Sequence, residues 1–367
     1  MSNCYTFPVQ RVTLLLSNED VLRVLDTRAC IDALEVAFGD LAAGKAVNRP
    51  RSHTYTPLGD GHWYLFKSMD GAVPRLGVHA IRLSSDHTHE FTRGGKRRRE
   101  KLPLAPGARF VGLVMLFDVR TLEPLAILQD GELQRMRVGC TSALAAKHAA
   151  RPDARVVGLI GSGWQAEMQL VGLTHVREIA EVRAYSTDAE RLRAFAARVG
   201  ERIGIPVRPV ASAREAVVGA DIVACATNSH DPVIEGSWLE PGQHVGSVQS
   251  HELGTDTLER AGAIVVRNLE VPTFHHPPGN GPVEALEIKR LEPHLVAKLI
   301  ELGAVIRGRP ARRDRDDVTL FTGGGLGASS GLGIQFAAVG HVVYQAAKAA
   351  GLGRELPTEW LTETAKP

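Results

Sequence analysis

Cysteine is scarce in this chain. Four are spread over 367 residues, at Cys4, Cys30, Cys140 and Cys225. Their wide spacing in mostly apolar surroundings excludes a disulfide framework and paired metal ligands, and fits reduced thiols, so no metal is expected. Long apolar runs are missing too: no uncharged stretch reaches the roughly 18 residues that a spanning helix needs. The opening "MSNCYTFPVQRVTLLLSNEDV" lacks the basic start and apolar core of a secretion signal. A cytoplasmic protein without membrane attachment is the expectation. Charge of one sign is also absent, the net value being +2. The one dense basic run, "GGKRRREK" from Gly94 to Lys101, has no aromatic platform or reading element beside it. It reads as a solvated loop, and nucleic acid is not an expected partner.

What is present is enough apolar material, 44% of residues, for a large core and two domains. A short strand is expected over Val12 to Leu16, followed by a helix capped by Ser17, with apolar spacing through Val21, Leu22, Leu25, Ile31, Leu34 and Phe38 and an end near Gly44. From Tyr55 to Leu128, short β-rich pieces alternate with turn residues, as in a mostly antiparallel sheet. After Gly131 comes an Ala-rich helix, and from Val156 strands and helices alternate regularly. The strands "RVVGLIG", "EVRAYS", "VRPVA", "DIVACAT", "HVGSVQ" and "AIVVRN" are nearly continuous in apolar residues, which suits a parallel sheet covered on both faces. The fold class is therefore α/β. A Rossmann-type doubly wound domain is expected over 131–322, beside a discontinuous α+β domain built from 1–130 and 323–367. The tail begins Gly-rich at Gly323 and becomes helical from about Ile334 to Ala350.

Gly161, Gly163 and Ala166 form G-x-G-x-x-A between a strand and a helix. In that setting the first glycine allows the tight turn and the second lets backbone approach a pyrophosphate. Ala166 keeps the helix close to the sheet, and the free amides at the helix start bind phosphate. A dinucleotide is the expected occupant. After the second strand, where a carboxylate would hold the ribose hydroxyls of NAD, the chain has Ser186 and Thr187, with Arg191 nearby. Those residues suit a 2′-phosphate, so NADP(H) is favoured over NAD(H), although Asp188 offers a route back to a ribose contact. The expected cofactor set is Gly161, Ser162, Gly163, Trp164 and Gln165 of the loop, then Ser186, Thr187 and Arg191, and Thr227, Asn228 and Val248 after later strands.

Almost end to end, the sequence resembles the ornithine cyclodeaminase and μ-crystallin family. The resemblance is carried by "FDVRTLEPLAILQDGELQRMRVGCTSALAAKHAARPDARVVGLIGSGWQAE", by "LEPGQHVGSV" and by "ELGAVIRGRPARRDRDDVTLF". It implies a homodimer built by the α+β part, an NAD(P)-binding Rossmann domain and a substrate pocket between them. It further implies hydride transfer among small amino, imino and keto acids, with cyclodeamination as one specialised outcome. Arg137 falls where the family places a carboxylate-binding arginine. Arg51, or else Arg49, is the second arm of that clamp, with Arg51 preferred.

Three departures stand out. His79 occupies the place of a family lysine, thought to touch the carboxylate and assist proton transfer, and Arg82 faces away from it on a regular strand. His251 occupies the place of an aspartate that acts on the substrate amine, with Glu252 adjacent. Phe336 aligns with a second aspartate, behind a Gly-rich run that reads as an anion-binding loop or as a flexible connection. In "FHHPPGNGP" the adjacent histidines sit on a Pro-rich loop and lack further metal ligands. These features point to an NAD(P)-dependent oxidoreductase acting on a small carboxylate substrate, most simply NADPH-driven imine reduction, with His79 or His251 handling the proton. The alternatives are an ammonia lyase of ornithine cyclodeaminase type and a catalytically inactive NADPH-binding protein of μ-crystallin type.

Overall fold

The computed structural model describes residues 11–93, 96–229, 231–269, 273–276, 279, 284–285, 291–322 and 331–364, with backbone alone for 92–93, 96–99, 273 and 284–285. Cys4, the glycine run 323–330 and most of the Pro-rich stretch after His276 lie outside the described residues.

The chain opens with β1 (Val12–Leu16), α1 (Asn18–Val24) and α2 (Thr27–Ala42). Ser17 caps α1 in a box with Asp20, as the sequence predicts, but the single helix expected here is two. Leu25 leaves the helix in an extended conformation and the Asp26 side chain accepts from the Ala29 amide, starting α2 afresh. Strands β2 (Val47–Asn48), β3 (Arg51–Gly59), β4 (His62–Val73), β5 (Val78–Arg93), β6 (Lys96–Leu102), β7 (Val111–Asp118) and β8 (Pro124–Gln129) follow. The basic run is thus strand rather than loop: β6 pairs antiparallel with the far half of β5, from His87–Leu102 to Arg93–Lys96. Its ladder is set by β5 and carries no apolar alternation, the signal by which strands are read in sequence.

Helix α3 (Gly131–Ala149) leads into β9 (Val156–Ile160), α4 (Trp164–Thr174), β10 (Glu181–Tyr185), α5 (Ala189–Ile203), β11 (Val207–Pro209), α6 (Ala213–Val217), β12 (Ile222–Cys225), β13 (His244–Ser247), α7 (Thr255–Arg260) and β14 (Ala263–Val266). Then come β15 (Thr273–His276), β16 (Glu284–Ala285), α8 (Pro293–Val296), β17 (Leu299–Glu301), α9 (Leu302–Ile306), β18 (Thr319–Thr322), α10 (Gly333–Ala349) and β19 (Arg354–Pro357). Two sheets result. The parallel one runs β11-β10-β9-β12-β13-β18-β14-β17 and has helices on both faces, a Rossmann-type arrangement. The mixed one runs β16-β15-β3-β4-β5-β7-β8-β1-β19, with β2 on β4 and β6 on β5. Strand β15 lies within the stretch expected for the parallel domain yet pairs with β3 of the mixed sheet.

The core of the mixed sheet is its inner face, where Met69, Val73, Val78, Ala80, Val114 and Leu116 pack under α10, which in turn packs on α2 and α3. Helix α3 belongs to both halves: Leu133, Cys140 and Leu144 join that core, and Ala146 joins the layer under β9, β10 and β12. No helix among the described residues is long and apolar enough to cross a membrane. Cys30, Cys140 and Cys225 are buried and free, and burial pushes the Cys30 thiol up to about 12.

Candidate active site

Gly161 ends β9 in a backbone conformation (φ 115°) that side chains resist, and its amide donates to the Tyr185 carbonyl at 2.8 Å. A Cβ there would lie 2.3 Å from the Ala226 carbonyl oxygen, so the turn also demands glycine on space. Gly163, by contrast, faces open space and caps α4 without any side-chain bond, leaving the first amides of an 11-residue helix to a ligand. These residues line a cleft of about 810 Å³ together with Ser162, Trp164, Gln165, Ser186, Thr187, Arg191, Thr227 and Asn228. Ser162 Oγ donates to Ser186 Oγ at 3.1 Å and ties the glycine loop to the end of β10. Asp188 also lines the cleft, but its carboxylate caps α5 by accepting from the Arg191 amide at 2.9 Å. Val248 does not line it; its amide donates to the Cys225 carbonyl and its side chain packs beneath the parallel sheet. A glycine cradle, free helix amides and hydroxyls at the second strand form a donor set that fits a dinucleotide.

Arg135 fixes this loop to α3. Its Nε donates to the Trp164 carbonyl at 3.0 Å, its guanidinium lies 5.4 Å from the Trp164 ring, and Nη2 reaches Glu167 at 2.6 Å. Glu167 also accepts from Arg198 at 2.6 Å and Arg202 at 2.5 Å, which hold its carboxyl below the usual range against the cost of burial.

On the inner face of the mixed sheet, cross-strand partners place polar residues in rows: His53, Lys67 and Ser84 in one, Leu65 and Asp86 in the next, Met69 and Arg82 in a third. Arg82 forms a buried ion pair with Asp130 at 2.6 Å, and Asp86 holds Lys67 at 2.8 Å and Lys101 at 3.0 Å. Burial, with repulsion from Lys101 and Arg51, pushes Lys67 down to about 7 against the pull of Asp86. Arg51 is pushed down to about 9 by burial and by Arg82. Arg137 is held well below its ordinary value by burial and by Arg267, Arg82 and Arg51. Its Nη1 donates to Gln335 Oε1 at 3.4 Å, and its guanidinium stands 5.3 Å from the Phe336 ring, which Arg82 approaches at 5.7 Å from its own side. Arg49, the other arginine of "VNRPR", pairs instead with Asp70.

The ornithine cyclodeaminase/mu-crystallin family model matches residues 11–351. The chain belongs to that family. It is 32% identical over 256 residues to a Delta(1)-pyrroline-2-carboxylate reductase of Bacillus cereus, covering 67% of this chain and 74% of that one. It is 28% identical over 351 residues to the alanine dehydrogenase of Archaeoglobus fulgidus, covering 94% and 98%. Among solved structures it is similar to Thermococcus litoralis Delta(1)-pyrroline-2-carboxylate reductase in complex with NADH and L-proline, with a TM-score of 0.73, 26% identity, and 94% and 100% of the chains covered.

For this member of the ornithine cyclodeaminase/mu-crystallin family, the structure shows where the residues singled out in the sequence stand. His79 does not join the cationic face. Val78, Ala80 and Arg82 point inward, and His79 points outward, 3.6 Å from Asp70. Arg82, which the strand period sets opposite His79, is the β5 cation on the inner face. Lys67 on β4, unnoticed in the sequence, supplies a lysine to that face. Its signal is the alternation of Leu65, Lys67, Met69, Gly71 and Val73 on the buried side of β4. His251 stands half-buried on the short turn Ser250–Glu252 after β13. Glu252 cannot replace an aspartate there. It is fully buried, accepting from the Thr227 amide and hydroxyl at 2.6 and 2.8 Å and from the Gln249 amide at 2.8 Å. Burial pushes its carboxyl above the usual range. His275 of the Pro-rich stretch meets Tyr55, whose hydroxyl lies 2.7 Å from Nδ1. Arg267, after β14, also went unnoticed; it is buried, and burial and Arg51 push it down to about 9.

Proposed function

We propose that the protein is an NADP(H)-favouring oxidoreductase that interconverts small imino and amino acids, working chiefly as an imine reductase. The observation that carries this is the placement of α3: Arg135 grips the glycine loop while Arg137 enters the buried cationic face. The cofactor cleft and an anion-binding surface thereby share one rigid helix. The relatives named above, reductases and dehydrogenases of such substrates, support the same chemistry.

The nicotinamide, when bound, supplies or accepts the hydride. Gly161 to Gln165 cradle the pyrophosphate, Thr227 and Asn228 line the wall beyond it, and Ser186, Thr187 and Arg191 receive the 2′-phosphate. Arg137 and Arg51 hold the substrate carboxylate, since planar guanidinium forks fix its orientation as well as its charge. Lys67 carries the proton at the substrate nitrogen: a lysine pushed down to about 7 both gives and takes a proton near neutrality. The apolar wall formed by Phe336 excludes water beneath the clamp. The domains divide as 1–130 with 323–367 against 131–322, except that β15 and β16 join the mixed sheet, and a homodimer forms through the outer face of that sheet. The test is a panel of cyclic imino acids, and of 2-oxo acids with ammonium, followed by nicotinamide absorbance with NADPH and NADH in parallel. Turnover faster with NADPH is expected, and cofactor binding without turnover of any substrate refutes the enzyme.

A further inference from the structure

Glu252 clasps two strand ends. Its side chain is fully buried, and three hydrogen bonds answer its charge: Oε1 accepts from the Thr227 amide at 2.6 Å and the Thr227 hydroxyl at 2.8 Å, and Oε2 from the Gln249 amide at 2.8 Å. Thr227 follows β12 and Gln249 follows β13, so one carboxylate joins the carboxyl ends of two neighbouring parallel strands. The Val233 amide donates to the Glu252 carbonyl at 2.9 Å and ties down the far end of the segment that begins at Thr227. These bonds also fix what Thr227 can offer. Its one hydroxyl proton goes to Glu252, and its oxygen accepts from the Ser229 amide at 3.2 Å, so the hydroxyl has no proton left for a ligand. Its methyl group turns to the glycine loop and stands 3.4 Å from the place of a Cβ on Gly161. Asn228 and Ser229 line the cleft beside it.

Strand order says which part of a dinucleotide this segment meets. The parallel sheet runs β11-β10-β9-β12-β13, so its order reverses between its first strand, β9, and its fourth, β12. A dinucleotide lies across such a reversal with one mononucleotide on either side. Ser186, Thr187 and Arg191, after β10, stand on the adenosine side, and Thr227 and Asn228, after β12, stand on the nicotinamide side. We propose that Glu252 is a positioning residue for the nicotinamide half: its carboxylate sets the Thr227–Asn228 segment against the glycine loop, and Glu252 itself touches neither cofactor nor substrate. This assignment rests on the dinucleotide reading of the cleft. A carboxylate is required because three donors converge on it and both of its oxygens accept. Glutamine presents an NH₂ group to one of the two sides, which leaves a backbone amide unanswered in the interior.

Titration calorimetry on the full-length protein compares NADPH with 2′,5′-ADP and NADH with AMP, each pair sharing its adenosine end. In Glu252→Gln the dissociation constant of the intact cofactor rises at least about fivefold, the worth of a stranded hydrogen bond, while that of its adenosine fragment stays within about twofold. Retained fragment binding also shows that the variant folds. Thr227→Val takes the hydroxyl from Oε1 and gives the same division, with the intact cofactor weakened at least about threefold. The double variant weakens it by less than the product of the two single effects, because both act through one shared contact. If Glu252→Gln does not fold, the division in Thr227→Val decides the matter. Equal weakening of cofactor and fragment, an intact cofactor bound as tightly as by the parent, or single effects that simply multiply overturns the assignment. So does a parent that binds NADPH no more tightly than 2′,5′-ADP and NADH no more tightly than AMP. A parent that binds none of the four ligands refutes the dinucleotide reading and the assignment with it, whereas the expected division without turnover of any imino or 2-oxo acid keeps the role of Glu252 and refutes the oxidoreductase.

Discussion

Arg135 and Arg137, two residues apart on α3, turn to opposite sides of the helix. The first donates to the Trp164 carbonyl at 3.0 Å, and the second to Gln335 of α10 at 3.4 Å. One helical turn therefore serves both the glycine loop and the cationic face, and the two arginines are separable by substitution. Arg137→Met removes the proposed carboxylate partner, worth about 1.5–3 kcal/mol, so kcat/KM falls at least about tenfold while the dissociation constant of NADPH changes by less than about threefold. Arg135→Met does the opposite, weakening NADPH about tenfold by freeing the loop. Fluorescence titration of the cofactor beside initial rates checks both; equal effects of both substitutions on both quantities contradict the division.

The Arg82–Asp130 pair joins β5 to the start of α3 with both side chains under 10% exposed. Breaking one arm leaves the other charged and buried, at a cost of about 3–5 kcal/mol. Asp130→Asn and Arg82→Met are each expected to lose that much in urea unfolding. The double variant Arg82→Met/Asp130→Leu recovers most of the loss, since neither charge is then stranded. A double variant as unstable as the sum of the singles shows that the pair acts through something other than its charges.

The proposed preference for NADP(H) rests on Ser186, Thr187 and Arg191, because Asp188, the nearby acid, already caps α5. Ser186→Asp places a carboxylate where the proposed 2′-phosphate would be bound. NADPH affinity is expected to fall at least about tenfold, the worth of a charge-assisted bond, while NADH affinity holds or rises. Arg191→Ala weakens NADPH by a similar factor and leaves NADH within about twofold. A parent protein that uses NADH better than NADPH refutes the assignment outright.

The glycine loop, the alternation of β9 to β14 and the arginine-bearing α3 are legible in the sequence because each has a local period or a fixed spacing. The cationic face is not, because it is assembled across strands. Lys67 and Arg267 lie 200 positions apart, and what marks them is that a charged side chain is buried, a property of packing. His79 shows the same limit from the other side. Its place in "LGVH" suggests a lysine substitute, yet a strand inverts direction at every residue, and the inward cation on β5 is Arg82. The basic residues from Lys96 to Lys101 have no apolar alternation in sequence to betray a strand, and only their pairing with β5 makes them one.

Lys67 sets the expected pH dependence. Its side chain titrates near 10.5 when free and about 7 when folded, so the unfolded chain binds the extra proton between those values. Folding stability from this group is therefore lowest below about pH 7 and rises as pH climbs toward the free value. In catalysis the sign is opposite: imine reduction needs the protonated amine, so kcat/KM for reduction falls above about pH 7 and the oxidative direction gains. Lys67→Met removes that limb from the pH profile and lowers the rate about 10²–10⁴-fold. His251→Asn keeps the limb. A limb that persists in Lys67→Met and vanishes in His251→Asn moves the proton to the histidine.

The outer face of the mixed sheet argues for a second copy. Ile81 stands across from Met115, and Met115 from Ile127, while Leu83 stands across from Leu113; all are on the side away from α10, and Leu113 is 38% exposed. Rows of this kind on a single chain mark an interaction surface, and a two-fold interface would bury each residue twice. Covering one such side chain is worth about 1.5–3 kcal/mol, so introducing a charge at Met115 in both protomers costs at least about 3–6 kcal/mol, enough to raise the dimer dissociation constant more than about a hundredfold. Light scattering after gel filtration is expected to show a dimer for the parent and a monomer for Met115→Asp at micromolar concentration. His79 stands on this same face beside Asp70, so His79→Ala is expected to shift association and leave kcat within about twofold. A monomeric parent removes the interface, and a large loss of kcat in a still-dimeric His79→Ala returns that histidine to the chemistry.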